Sequence, residues 1–110
     1  MSWLSKILGK GDQSSTESWP GDALLIDVRS PSEFQAGHVE GAVNLPLSEL
    51  AASAPSRLPD KTRPLVLYCQ SGMRSASAQQ WLQAHGYQHL INGRSASTVA
   101  FRLQRQIVRG

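Results

Sequence analysis

Two short apolar runs, Ala23-Leu24-Leu25-Ile26-Asp27-Val28 and Leu65-Val66-Leu67-Tyr68, constrain the fold of this chain more than any other feature. Neither alternates with polar residues, so each reads as a strand buried on both faces. A sheet of such strands needs cover on both sides, and helix-start chemistry follows each run at once. After the first, Ser30-Pro31-Ser32-Glu33 offers a serine N-cap, a proline at the first helical position and a glutamate at the third, which is a capping box. After the second, Cys69 opens a small-residue turn through Gly72 into a helix beginning near Arg74. Ser75 to His85 forms the body of that helix, with Ala76, Ala78, Trp81 and Leu82 toward the sheet and Gly86 as its stop.

The remaining segments continue the alternation. Gly37 ends the first helix, His38 to Ala42 turns, and Val43 to Pro46 is a second small strand. Leu47 to Ala54 is helical, Pro55 to Pro64 is a proline-rich loop, and Tyr87 to Asn92 is a strand. Thr98 to Val108 closes the chain as a helix with Val99, Leu103 and Ile107 inward. Strands alternating with helices mean an α/β domain, with a mainly parallel central sheet built by right-handed crossovers and helices on both faces. Ligands of such sheets bind beyond the carboxyl ends of the strands. Cys69 and the pair Asp27 and Arg29 lie at two such ends and are expected to be neighbours.

The 110 residues suffice for one hydrophobic core without staples. One cysteine excludes an internal disulfide, and His38, His85 and His89 have no ligand spacing, so neither a zinc site nor a cofactor is expected. The formal charge is +3, with a surplus in Arg94, Arg102, Arg105 and Arg109 that reads as the solvated face of the terminal helix. No nucleic-acid motif accompanies it, and no nucleic-acid partner is expected. Trp3-Leu4 and Ile7-Leu8 repeat at helical spacing beside Lys6 and Lys10, too short a pattern to span a membrane and without a signal-peptide core. Residues 1–18 read as an N-terminal segment, a flap or frayed end, with a Gly/Ser-rich linker. Residues 19–110 read as the domain, with the cytoplasm as the default compartment.

Cys69 carries the chemistry. A lone cysteine at a strand end is ordinarily a small core hydrophobe. Gln70, Ser71, Gly72 and Ser75, however, suit a loop wrapped around an anion. Loop N–H groups and the positive end of the following helix favour thiolate over thiol, lowering the thiol pKa from its free value of about 8.5. That is the environment of a nucleophile or a sulfur carrier.

Leu25-Ile26-Asp27-Val28-Arg29, then Glu33-Phe34, then Gly37 to Pro46, and finally Cys69-Gln70-Ser71-Gly72-Met73-Arg74-Ser75 stand in an order and spacing that resemble the rhodanese family of sulfurtransferases. The resemblance runs from about Leu24 to Asn92. It implies a rhodanese-like domain in which the Cys69 thiolate takes the outer sulfur of thiosulfate or a similar donor. The resulting persulfide passes that sulfur to a thiophilic acceptor, cyanide in vitro and a cellular thiol, a protein thiol among the candidates, in vivo. Gln70, Ser71, Gly72, Met73, Arg74 and Ser75 then form the substrate-binding cradle. Gly72 supplies an unusual backbone angle, and Ser71 or Ser75 adds a hydroxyl.

Some roles stay open. Arg74 either meets the donor anion or pairs with an acid such as Asp27. Arg29 either holds a loop through Asp27 or lines the mouth and attracts anions. His38 bonds backbone in its turn and is not needed as a base. The chain departs from the family where many members carry two adjacent glycines and a downstream tryptophan. Here Asn92-Gly93 is followed by Arg94-Ser95-Ala96, with Phe101 the nearest aromatic, so the last helix is expected to pack differently and donor preference is open. The rival readings are a non-catalytic or partner-dependent persulfide-relay module and a cell-cycle-type phosphatase of the same fold. The phosphatase loop between cysteine and arginine is one residue longer than the one formed here by Gln70 to Met73.

Overall fold

A computed structural model describes residues 19–110, so the expectations for residues 1–18 lie outside the described residues. In chain order the elements are β1 (Leu24–Asp27), α1 (Pro31–Ala36), β2 (His38–Val39) and β3 (Val43–Asn44). A 3-10 turn (Leu47–Glu49) then runs into α2 (Leu50–Arg57). β4 (Leu65–Cys69), α3 (Met73–Ala84), β5 (Leu90–Ser95), α4 (Ala96–Leu103) and β6 (Ile107–Val108) complete the chain. Four strands form one parallel sheet in the order β3-β1-β4-β5, and β2 pairs with β6 in a separate antiparallel ribbon.

β4 is central, and all five of its residues are buried. Its side chains alternate between two cores. Leu65, Leu67 and Cys69 join Ile26 and Val28 of the β1 segment, Leu50 and Ala54 of α2, and Ala78 and Leu82 of α3. Val66 and Tyr68 join Leu25, Val39, and Val99 and Ala100 of α4. The expected α/β architecture, with helices on both faces of a parallel sheet, is therefore the one observed. Tyr68 ties the two β layers together: its hydroxyl accepts the buried Val39 N–H at 3.1 Å.

The capping box is fully formed. The Ser30 hydroxyl accepts the Glu33 N–H, the Glu33 carboxylate accepts the Ser30 N–H at 3.0 Å, and Pro31 opens α1. Other boundaries move. α2 runs through Pro55 to Arg57, because Leu58 is buried just beyond it and the Tyr87 hydroxyl meets the Leu58 and Ala54 carbonyls at 2.5 and 3.3 Å. α3 starts at Met73 instead of Ser75, directly after the turn at Gly72.

The largest correction is at the C-terminus. The expected helix over Thr98 to Val108 ends at Leu103, where Gln104 adopts a left-handed conformation at φ 55° and Arg105 N–H returns to the Ala100 carbonyl at 3.0 Å. Ile107-Val108 then pairs with His38-Val39. Two apolar β-branched residues fit a strand as readily as one face of a helix, and only a distant partner decides between them. The arginine surplus is accordingly not one helical face. Arg102 alone of the four lies in α4, while Arg94 lies in β5 and Arg105 and Arg109 flank β6.

Tyr68→Phe keeps the ring and strands the buried Val39 N–H. It should lower stability by about 1–3 kcal/mol. A urea titration should show this as a lower midpoint at unchanged slope.

Candidate active site

The parallel sheet points the carboxyl ends of β1, β4 and β5 to one edge, and the loop after β4 stands there. Cys69 is the last residue of β4 and only 1% exposed. Gln70 and Ser71 are exposed, Gly72 is the N-cap of α3, and Ser75 is buried in its first turn. Gly72 has φ 99°, a left-handed conformation that an L side chain rarely adopts. That angle turns the chain so that the Gly72 N–H donates to Cys69 Sγ at 3.0 Å. Ser75 Oγ lies 3.7 Å from the same sulfur.

The opposing influences on the thiol are plain. Burial raises its pKa, and this is outweighed by the Ser75 N–H and hydroxyl together with the N–H groups of Gly72 and Ser71. The net result is a thiol lowered from 9.0 to about 7. The thiol is shifted in the expected direction, and Ser75, not Ser71, is the hydroxyl beside sulfur.

The loop is held from both sides. On the β5 side, Asn92 Oδ1 lies 2.6 Å from Ser75 Oγ and accepts the Arg94 N–H at 2.9 Å, while Asn92 Nδ2 donates to the Gly72 carbonyl at 3.2 Å. On the α1 side, Arg74 donates from two nitrogens to the Glu33 carboxylate at 2.8 and 3.0 Å. The acidic partner of Arg74 is thus Glu33 and not Asp27, which is engaged elsewhere. The Arg74 guanidinium, with the Ser30 N–H and hydroxyl, holds the Glu33 carboxyl down at about 2.

Asp27 belongs to Arg29, which donates to both carboxylate oxygens at 2.7–3.1 Å and to the Gly37 carbonyl at 2.6 Å. The guanidinium also sits 5.7 Å over the Tyr68 ring. Arg29 and Cys69 come from neighbouring strand ends, yet Arg29 lies against Tyr68, whose side chain packs on the α4 face, while Cys69 packs on the opposite face. Its bonds fasten the β1 exit to the end of α1. His38 donates from Nδ1 to the Phe34 carbonyl at 2.7 Å, the backbone bond expected of it.

Three participants escaped the sequence. Asn92 sits in an apolar strand with nothing local to mark its amide. Glu33 is 41 positions from Arg74. Arg94 lies in β5, apart from the other C-terminal arginines, and its place where many family members carry a second glycine is the signal that marks it.

A family model described as the rhodanese-like domain matches residues 2–95. The chain belongs to the rhodanese family. It is 37% identical over 75 residues to the thiosulfate sulfurtransferase PspE of Escherichia coli, covering 68% of this chain and 72% of that one. It is 33% identical over 95 residues to the thiosulfate:glutathione sulfurtransferase of Saccharomyces cerevisiae, covering 76% and 63%. A solved rhodanese with anions from Escherichia coli superposes with a TM-score of 0.72 at 34% identity, over 80% of this chain and 99% of that one. Other bacterial relatives are matched over only 54% and 37% of their length. These rhodanese relatives support sulfurtransferase activity. Among the described residues no helix is long and apolar enough to cross a membrane.

Two measurements check the site. The rate of Cys69 alkylation by iodoacetamide should rise through a midpoint at about pH 7, not near 9. Glu33→Gln should cost about 1 kcal/mol near neutrality, since it weakens a partly exposed ion pair and a cap together. The sign with pH is fixed: the Glu33 pKa is lowered on folding, so its contribution is complete above its usual 4.5 and is lost as pH falls through about 2. Chemical denaturation of the two proteins should therefore converge toward pH 2.

Proposed function

We propose that this protein is a thiosulfate-type sulfurtransferase working through a Cys69 persulfide. The single observation that carries the reading is a thiol brought to about 7 inside a cradle of backbone N–H groups. A thiol so lowered supplies thiolate near neutral pH, a strong nucleophile that needs no separate base.

The chemistry balances without a redox partner. The Cys69 thiolate attacks the outer sulfur of thiosulfate, an S–S bond forms to the protein, and the donor S–S bond breaks with its electron pair leaving on sulfite. The terminal persulfide sulfur inherits the negative charge and the N–H groups of the loop. A thiophilic acceptor then attacks that sulfur, and the electron pair of the protein S–S bond returns to Cys69. Cyanide leaves as thiocyanate, and a thiolate leaves as its own persulfide. Small donors and a low-molecular-weight or protein thiol acceptor fit this cycle, and a reducing compartment such as the cytoplasm suits the free thiol.

Gln70, Ser71, Gly72, Met73 and Ser75 contribute the cradle in this reading. Arg74 secures it through Glu33, and Arg29 supports the neighbouring strand end. The tie of Arg74 to Glu33 also weighs against a phosphatase, whose loop arginine must be free to clamp a phosphoryl group.

Intact mass after thiosulfate, then after cyanide, tests the cycle. The wild-type chain should gain one sulfur atom on Cys69 and lose it to cyanide. Cys69→Ser should keep the wild-type melting temperature and gain nothing, since an alkoxide site carries no sulfane sulfur. No gain by the wild-type protein, or a gain by Cys69→Ser, would overturn the proposal.

A further inference from the structure

Arg94 adopts φ 74°, a left-handed conformation. The other described non-glycine residue with positive φ is Gln104, at a helix C-cap where the angle is ordinary. Arg94 sits instead at an irregularity in β5. Leu67 pairs with Asn92 and Tyr68 with Arg94, so Gly93 is skipped. Gly93 has no freedom to be larger, because a Cβ there would lie 2.6 Å from Val99 Cγ2 and 2.9 Å from Val66 Cγ1. Such bulges re-aim the following side chain and are common beside active sites.

The re-aimed side chain lies against the thiolate loop at Gly72. Arg94 Cα, Cβ and Cγ lie 3.5–3.6 Å from where a Cβ on Gly72 would stand, and the Gly72 N–H is the one that donates to Cys69 Sγ. Arg94 also lines a cavity of about 960 Å³ with Ser71, Gly72, Met73 and Asn92. It is exposed, and among the described residues its guanidinium has no hydrogen bond or ion pair. Arg29 and Arg74, the arginines at the neighbouring elements, are neutralised by Asp27 and Glu33.

A thiolate and a sulfur-donor anion repel each other as they meet, and a cation at the mouth must offset this. We propose that Arg94 is the specificity-determining residue of the site, its guanidinium binding the anionic sulfonate of a thiosulfate-type donor as Cys69 takes the outer sulfur. The inference rests on the sulfur-transfer reading and names how that site selects its donor. A strained arginine where glycine would be relaxed has a reason to persist if its charge is used.

The test is rapid-mixing measurement of Cys69 persulfide formation with thiosulfate, and separately of its discharge to cyanide and to glutathione. Arg94→Gly removes the charge while relieving the backbone, so its melting temperature should match or exceed the wild type. Its second-order loading constant should fall about tenfold, the scale of one lost charge-assisted contact. Arg94→Lys should recover part of the loss, and the difference from wild type should shrink at about 1 M salt. Discharge to cyanide should change less than about twofold, because the tenfold loss belongs to donor binding. Unimpaired loading of Arg94→Gly beside a wild-type protein that does load would overturn the anion site alone. Slower discharge to glutathione with normal loading would move the anion to the acceptor and overturn the donor assignment. A wild-type chain that gains no sulfur from thiosulfate would overturn the transfer reading and this inference with it.

Discussion

The rest of this structure depends on placing a negative charge on a sulfur that water hardly reaches. Burial by itself opposes the thiolate, so the charge exists only where donors are already aimed at it. The Gly72 N–H at 3.0 Å is such a donor, and it points at sulfur because the chain passes through a left-handed angle at that residue before α3 begins. A side chain at Gly72 would find ordinary contact distances to Arg94, so the angle and not the space demands glycine there. The central strand brings the thiol to the edge of the sheet, and the helix that follows begins immediately, which leaves no slack in the loop between them.

A loop that stabilises charge with backbone donors cannot be allowed to relax, because donors that reorganise are no better than water. Two anchors hold it. Asn92 bonds the Gly72 carbonyl and reaches Ser75, so the amide of β5 fixes both the turn and the first turn of α3. Glu33 grips Arg74 while completing the cap of α1, so one carboxylate joins a helix start on β1 to the loop on β4. Substitutions at Ser30, Glu33 and Arg74 share that carboxylate, and their effects should not add. The ion pair is partly exposed and of modest strength, and its value lies in geometry: it turns a flexible arginine at the loop's end into a tether.

How much of this is legible from sequence follows the range of each interaction. The capping box spans Ser30 to Glu33 and reads directly, as does the apolar run that delivers Cys69. The parallel architecture follows from buried runs each trailed by a helix start. Contacts that join distant positions do not read this way. Glu33 and Arg74 are 41 positions apart and Ser75 and Asn92 are 17 apart, so no local pattern points to either contact. Ile107-Val108 failed for a related reason. Its pairing partner, His38-Val39, lies on the far side of the sequence, and local pattern alone favoured continuing the helix.

The placement of charge around the sulfur separates what the fold supplies from what this chain adds. Parallel strands put the exits of β1, β4 and β5 at one edge, and each exit carries an arginine: Arg29, Arg74 and Arg94. Two are paired: Arg29 closes on Asp27 and the Gly37 carbonyl, and Arg74 closes on Glu33. Arg94 differs in both respects, being unpaired among the described residues and held at an angle that a glycine would adopt without strain. Stability alone does not account for that combination: the backbone N–H bonds Asn92, but the left-handed angle is strained for arginine and its charge has no acidic partner among the described residues. The bulge that skips Gly93 is what lets the strand tolerate it, since the residue after the skipped position can turn away from the ladder and over the loop. The paired arginines thus brace the loop, while Arg94 lies against Gly72 with no acidic partner among the described residues.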